Sequence, residues 1–350
     1  MSGKRIQNIQ ALRGIAVSSV VLMHLMIMEK KFGGAQTLLS GSMIFRFFGV
    51  DLFFIMSGFL MVTITRGKFQ DPVNALKFLY ARLAKIYPIY WIFTSLVLIV
   101  YLIRPEWVNS YQGNQVDILS SFLLIPEQTL PLIIVAWTLV HEMYFYIVFT
   151  VIILFVREKY LKHSILLWGI IALAINLLVG PVNPFIKVIS HPLTFEFIAG
   201  CFLAYIYRNS DIKISRKILL PAAALSVGIS LATYYRFQSV TGEIEMPGWW
   251  RILIFGLPAL ITVFCMIYAE KDGFTIHNIF YGIGNASYSI YLTHVLTLSA
   301  FGHFWSMFAY EGIIDNIVMI PVSFSLVLLT GFISYNYLEK PLLNLSKKIL

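Results

Sequence analysis

Residues 9–28 read IQALRGIAVSSVVLMHLMIM. About 20 apolar residues, each rising roughly 1.5 Å along a helix, cross the hydrocarbon core of a bilayer. Two ionisable groups interrupt this run, Arg13 near its start and His24 near its end. Eleven residues at roughly 100° each return to within about 20° of the same face, so one stripe carries both groups, about 16 Å apart. An ionisable group inside a membrane helix is expensive and faces a bundle interior or a wet cavity. A cation at one end of a stripe and a base deeper along it resemble the wall of a reaction path.

The composition of the whole chain agrees with that reading. Of its 350 residues 59% are hydrophobic and 12% charged, against about 25% charged in a soluble domain. Residues 9–28 contain Arg13 and lack a clear small-residue cleavage site behind them, so they read as a first spanning helix and not as a secretory signal. Cys201 and Cys265 both lie in apolar stretches and suggest neither a disulfide framework nor a metal site.

Ten candidate spans follow in order: 9–28, 44–65, 86–103, 132–156, 164–180, 188–207, 217–235, 251–269, 284–304 and 317–338. The expected fold is all-α, a polytopic bundle of about ten transmembrane helices forming one membrane domain over residues 1–350, with no appended soluble domain. Asp117–Pro126 reads as a short re-entrant or interfacial helix. Ten spans put both termini on one side. With that side cytoplasmic, 18 of the 26 basic residues fall in inner segments, seven, Arg251 among them, in outer ones, and Arg13 within the first span. Lys4 and Arg5 belong to the inner set. The net charge of +9 is thereby explained as a topology signal, and nucleic acid is not needed to account for it. The expected location is the inner (plasma) membrane.

Several buried-looking polar groups could carry chemistry. GVDLFFIMSGFL, from Gly49, places Asp51 at a depth similar to His24, where an unpaired carboxylate would cost several kcal/mol. Asp51 therefore needs a partner or water. Ser57 and Gly58 read first as small residues for helix packing. AWTLVHEMYFY, from Ala136, sets His141 beside Glu142, about 100° apart on a helix. Glu142 is favoured as the functional member because a carboxylate is costlier to bury. TFEFIAGCFLAY adds Glu196, and GNASYSIYLTH adds His294, for which a structural role stands equal with catalysis. No glycine-rich phosphate loop, His-Glu-x-x-His or Gly-x-Ser-x-Gly is present. The scatter of these residues over five helices gives no warrant for a metal. The cytoplasmic interval between spans two and three holds Lys77, Arg82 and Lys85, a basic patch suited to a phosphorylated ligand. What remains is acid–base chemistry by histidine with a carboxylate.

Taken together, Gln10-Ala-Leu-Arg13-Gly-Ile-Ala with His24 behind it, GVDLFFIMSGFL, ARLAKIYPIYW from Ala81, the segment from Trp137 to Tyr146, GNASYSIYLTH and YLEKPL resemble the acyltransferase-3 family of membrane acyltransferases. The motifs come in the family's order over nearly the whole chain. WTLVHEMYFY is similar to the branch that acetylates exopolysaccharides and related surface glycans.

The resemblance implies transfer of an acyl group, acetyl in this branch, from cytoplasmic acyl-CoA to a hydroxyl of an extracytoplasmic or lipid-linked glycan. Acetyl-CoA is then a substrate, with no bound cofactor. Arg13 and His24 match the family's arginine and histidine, and Glu142 its fourth-span glutamate. Arg82 and Lys85 fall where two arginines associated with the donor usually stand. Lys85 departs from that pattern, keeping the charge but losing bidentate geometry. Some members carry an extracytoplasmic hydrolase-like domain; this chain is expected to act alone or pass its product on. On this reading His24 is the general base, Asp51 or Glu142 holds its other ring nitrogen, and Arg13, Arg82, Lys85 and Lys77 handle the donor. His141, Glu196 and His294 are further candidates. Direct transfer and an acyl-histidine intermediate both stay open, as do the acceptor sugar and the oligomeric state. The competing class is a transporter or flippase using the same intramembrane groups as a proton relay, although no inverted repeat is seen. Acylation of a small molecule is the alternative within the family.

Overall fold

The computed structural model describes residues 6–34, 37–39, 44–242, 248–310 and 312–348. Lys4 and Arg5, counted among the inner charges, lie outside the described residues. The described elements are helices: α1 (Gln7–Phe32), α2 (Ile44–Ile64), α3 (Pro72–Ile103), α4 (Ile118–Leu123), α5 (Trp137–Phe155), α6 (Leu161–Leu178), α7 (Pro184–Ile189) and α8 (Leu193–Asn209). They continue as α9 (Arg216–Thr241), α10 (Gly248–Arg251), α11 (Leu257–Lys271), α12 (Asn278–Asn285), α13 (Ser287–Trp305), α14 (Ile313–Ser334) and α15 (Lys340–Ser346). Single π-helical turns join α10 to α11 and α14 to α15.

Among the described residues eight helices are long and apolar enough to cross a membrane, and Phe48–Ile64 is a shorter apolar one. The sequence-based expectation of about ten is of that order. Exposed Trp91, Leu96 and Ile99 on α3, and Leu166, Leu167 and Ile170 on α6, supply the outward apolar surface that such a bundle needs. The most buried span is α1, with 67% of its apolar window covered against 28% for α3, α6 and α9.

One boundary differs from the sequence reading. The third span was expected from residue 86, but α3 begins at Pro72. Asp71 caps it, accepting from Val73 N at 2.8 Å and Asn74 N at 3.3 Å, with Pro72 as the first helical residue. The basic patch therefore rides on the same helix as the span. Asp117 likewise caps α4 through Ser120 N, giving the short helix expected there.

The chain divides into two compact units. The first comprises Met1–Thr63, Phe195–Ser287 and Leu298–Leu328. There α1 packs on α11 and α12. Its start is fixed by Glu270, which accepts from the backbone of Gln7 and Asn8 at 3.0 and 2.7 Å, supplying a carboxylate where the helix has orphan donors. The fully buried Asn8 side chain donates to the carbonyls of Met266 and Phe274 and accepts from Ile276 N. Gly14 and Gly284 let α1 and α12 touch backbone to backbone, because any side chain there would run into the Phe280 or Gln10 carbonyl. Gly58 and Gly200 do the same for α2 and α8, against the carbonyls of Phe197 and Ile55. Gly58 is thus a packing residue, the small-residue contact expected of membrane helices.

The second unit comprises Ile64–Thr194, Tyr288–Thr297 and Leu329–Leu350. Its centre is the α3–α5 pair, where the Phe78 ring lies 6.4 Å from Tyr146 and 5.9 Å from Phe149. Tyr288 donates to the Ile86 carbonyl at 2.8 Å, and Tyr291 to the Val135 carbonyl at 2.9 Å, fastening the first part of α13.

Candidate active site

In the first unit α1 is continuous through Arg13 and His24, so the shared stripe is a property of the folded helix. Both side chains are half-buried on a helix whose Leu12, Met23 and Leu25 are buried. His24 Nδ1 lies 3.0 Å from the Val20 carbonyl one turn back. A carbonyl can only accept, so the neutral ring donates from Nδ1 and keeps its lone pair on Nε2. The partner of this nitrogen is therefore a backbone carbonyl.

Asp51 is paired elsewhere. It is fully buried, and its Oδ2 accepts from Arg251 Nη2 at 3.0 Å. Glu196 on α8, also buried, lies near Asp51 and Arg251. No donor reaches either Glu196 oxygen. The Arg251 guanidinium offsets part of the charge of the two buried carboxyls. Asp51 and Glu196 thus form one buried cluster with Arg251. The sequence reading had counted Arg251 only as an outer-side charge. Its position directly behind Trp249 and Trp250, at the start of an apolar run, was the available signal.

In the second unit Arg82 is half-buried with its guanidinium over two rings, 5.8 Å from Phe78 and 6.0 Å from Tyr146, and its Nε is buried without a hydrogen bond. Lys85, also half-buried, lies three residues on along α3. Lys77 is exposed, about 140° round the helix from Arg82 and about 80° from Lys85. Glu142 is half-buried and acts electrostatically on both Tyr288 and Tyr291. Glu339, on the π turn between α14 and α15, is buried, accepts from Ser289 Oγ at 2.5 Å and acts on Tyr288 as well. In the sequence Glu339 stands within YLEKPL with nothing to mark it as functional. His294 is fully buried with Nδ1 2.7 Å from the Tyr291 carbonyl.

His141 and Glu142 part company as their helical spacing requires. His141 is buried with Nδ1 3.0 Å from the Trp137 carbonyl, and its ring stands edge-on to His191, 4.8 Å between centroids. Both rings line a cavity of about 220 Å³ formed by the connection between α3 and α5 together with α7. His191 lay at a span boundary and carried no motif, so sequence reasoning passed over it. Among the described residues no three His, Cys, Asp or Glu side chains group to hold a metal.

A family model described as an acyltransferase domain, that of acyltransferase-3, matches residues 6–336 and so runs through both units. The exopolysaccharide production protein ExoZ of Rhizobium meliloti is 26% identical over 307 residues, covering 84% of this chain and 89% of ExoZ. The O-acetyltransferase OatA of Staphylococcus aureus is 24% identical over 372 residues, covering 97% of this chain. The chain spans only 58% of the length of OatA. No solved structure matches the chain.

Proposed function

This chain belongs to the acyltransferase-3 family, and from that premise we propose that it moves an acetyl group from cytoplasmic acetyl-CoA to a hydroxyl of a surface or lipid-linked glycan. The observation that carries the proposal is the state of His24, half-buried on the most enclosed span with Nδ1 held by the Val20 carbonyl. That arrangement prepares Nε2 as a proton acceptor. The names of ExoZ and OatA support the acceptor class and the O-acetyl product.

In the proposed reaction the acceptor hydroxyl attacks the thioester carbonyl while its proton passes to His24 Nε2. The carbon–sulfur bond breaks, the ester carbon–oxygen bond is formed, and the imidazolium returns the proton to the departing thiolate. The products are the glycan ester and free CoA. The donor is polyanionic, so cations must hold it at the cytoplasmic end. Arg82 and Lys85 on α3 take that role, with Arg13 at the mouth of the α1 stripe. Lys77, exposed and about 140° round α3 from Arg82, contributes to the general positive field. Asp51, tied to Arg251, positions helices in this scheme and does not orient His24. Glu142, with Tyr288 and Tyr291 nearby, is assigned to the acceptor or to charge balance in the second unit. The protein sits in the inner membrane with both termini cytoplasmic, on the strength of its basic residues.

The test is purified protein in detergent, acetyl-CoA and the host's surface polysaccharide stripped of its esters, with no ion gradient. Mass spectrometry of the glycan should show acetyl esters appearing only with protein and donor present. A protein that moves a solute across a sealed vesicle and makes no ester would be the transporter.

A further inference from the structure

The 33-residue connection between α3 and α5 carries more organisation than a simple link requires. Long connections without much regular structure are uncommon in compact domains, and those that are internally braced are disproportionately functional. This one is braced heavily. Tyr87, Tyr90 and Trp91 of α3 donate to the carbonyls of Leu123, Ser121 and Phe122, pinning α4. Asn109, in the left-handed region at φ 50°, donates to the carbonyls of Leu130 and Pro131. Gln112 accepts from Leu130 N at 2.9 Å, and Ser121 Oγ accepts from Leu132 N at 3.0 Å. These bonds hold open the cavity of about 220 Å³ at the start of α5.

The cavity's lining has a definite chemistry. Trp137, His141 and His191 contribute three flat rings, while Gln128, Glu127 and Lys187 are exposed polar groups among the lining residues. Gln128 and Lys187 spend no side-chain hydrogen bond on the protein among the described contacts. Against Lys187 stand two carboxylates, Asp117 and Glu127. A site for the phosphates of CoA would carry surplus positive charge, so this cavity does not suit the donor. Flat amphipathic rings with a few hydrogen-bonding side chains suit a ligand that has an apolar face and polar edges. A pyranose has both, C–H groups on its ring faces and hydroxyls around its edge. The volume is below the ~300–1,000 Å³ of sites that enclose a drug-sized ligand, which fits one ring of a longer chain.

We propose that this cavity is the acceptor subsite: it holds one neutral pyranose residue of the glycan, with Trp137 against the ring face and Gln128 and Lys187 bonded to its hydroxyls. The assignment rests on the acyl-transfer reading above, including the orientation that places this connection on the outer side.

The probe is oligosaccharide cut from the host's surface polysaccharide after removal of its esters by mild alkali. Calorimetric binding to the purified full chain is measured without acyl-CoA, alongside steady-state KM values for oligosaccharide and for acetyl-CoA. Gln128→Ala and Lys187→Ala change exposed side chains and should fold normally. Each is expected to weaken oligosaccharide binding and raise its KM about fivefold, the loss of one hydrogen bond, with the acetyl-CoA KM unmoved. Trp137→Ala should weaken binding further, and Trp137→Phe should recover part of it. Unchanged oligosaccharide Kd in the three truncations, or no binding by the wild-type protein, overturns the subsite. Binding that falls as expected in a protein that transfers nothing keeps the subsite and overturns the acyl-transfer reading. Transfer with Kd insensitive to these residues does the reverse.

Discussion

Arg251 reaches Asp51 at 3.0 Å across 200 residues of sequence, with Asp51 fully buried and the Arg251 side chain 12% exposed. That pair gives the second-span carboxylate the partner its burial requires. Burying one charge alone is strongly unfavourable, whereas a matched pair with its remaining hydrogen bonds met is tolerated. Glu196 completes the cluster from α8, so three separate segments of the first unit are tied at one point.

Breaking this pair from one side should be severe. Arg251→Ala is expected to destabilise the protein by about 3–5 kcal/mol, because it strands Asp51. Asp51→Asn with Arg251→Gln should lose less than Arg251→Ala. Glu196→Gln, which supplies its own donor to Asp51, should be tolerated better than Glu196→Ala. Thermal unfolding in detergent reads all of these. Equal midpoints for Arg251→Ala and wild type would mean that the ion pair does not hold the fold.

The α2–α8 contact is equally specific. Gly58→Leu or Gly200→Leu puts a side chain into the facing helix's carbonyl and should reduce stability by at least the ~1–3 kcal/mol typical of overpacking. The same change at Gly228, which has open space around its Cα, should have little effect. Folded yield and unfolding midpoint compare them. Similar losses at all three positions would remove the close approach as the cause.

Much of this was legible in the sequence because membrane helices announce themselves by length and apolarity, and buried charges by their cost. The α1 stripe, the helical nature of the chain and the need for an Asp51 partner all followed from those rules. The partner's identity did not, since Arg251 lies 200 residues from Asp51 in sequence and its charge was spent on the topology count. The early start of α3 was written in Asp71-Pro72, a cap followed by a first-turn proline, but the polar residues after it masked the helix. The split of His141 from Glu142 was readable from spacing alone. That His141 would meet His191 was not, because that contact depends on how α7 packs on α5.

Donor binding should depend on α3. Replacing Arg82 or Lys85 with Ala is expected to weaken acyl-CoA binding by about 1.5–3 kcal/mol each, the worth of one charge-assisted contact. Lys85→Arg should be tolerated, and Lys77→Ala should matter least, since Lys77 is exposed where Arg82 and Lys85 are half-buried. Equilibrium binding of acyl-CoA to folded variants decides it. If both Ala variants bind as wild type, these residues serve topology only.

The orientation can be checked without any substrate. Cysteines introduced at Lys68 and Lys348 should react with an impermeant maleimide only after the cytoplasmic face is opened, and one at Arg104 should react from outside. The native Cys201 and Cys265 are buried and give a low background. Labelling of Lys68 or Lys348 from outside would invert the protein and move the donor site with it.

His24 carries the proposed mechanism. The decisive measurement is the rate of acetyl transfer at saturating acetyl-CoA, across pH, for wild type and His24→Gln, with acetyl-CoA binding measured on the same preparations. The wild-type rate should rise with pH through a single titration, because only the neutral imidazole accepts a proton. His24→Gln should bind acetyl-CoA normally and transfer about 10²–10⁴-fold more slowly, the usual contribution of a general base. A His24→Gln protein that keeps more than about a tenth of the wild-type rate, well short of that range, would contradict the mechanism.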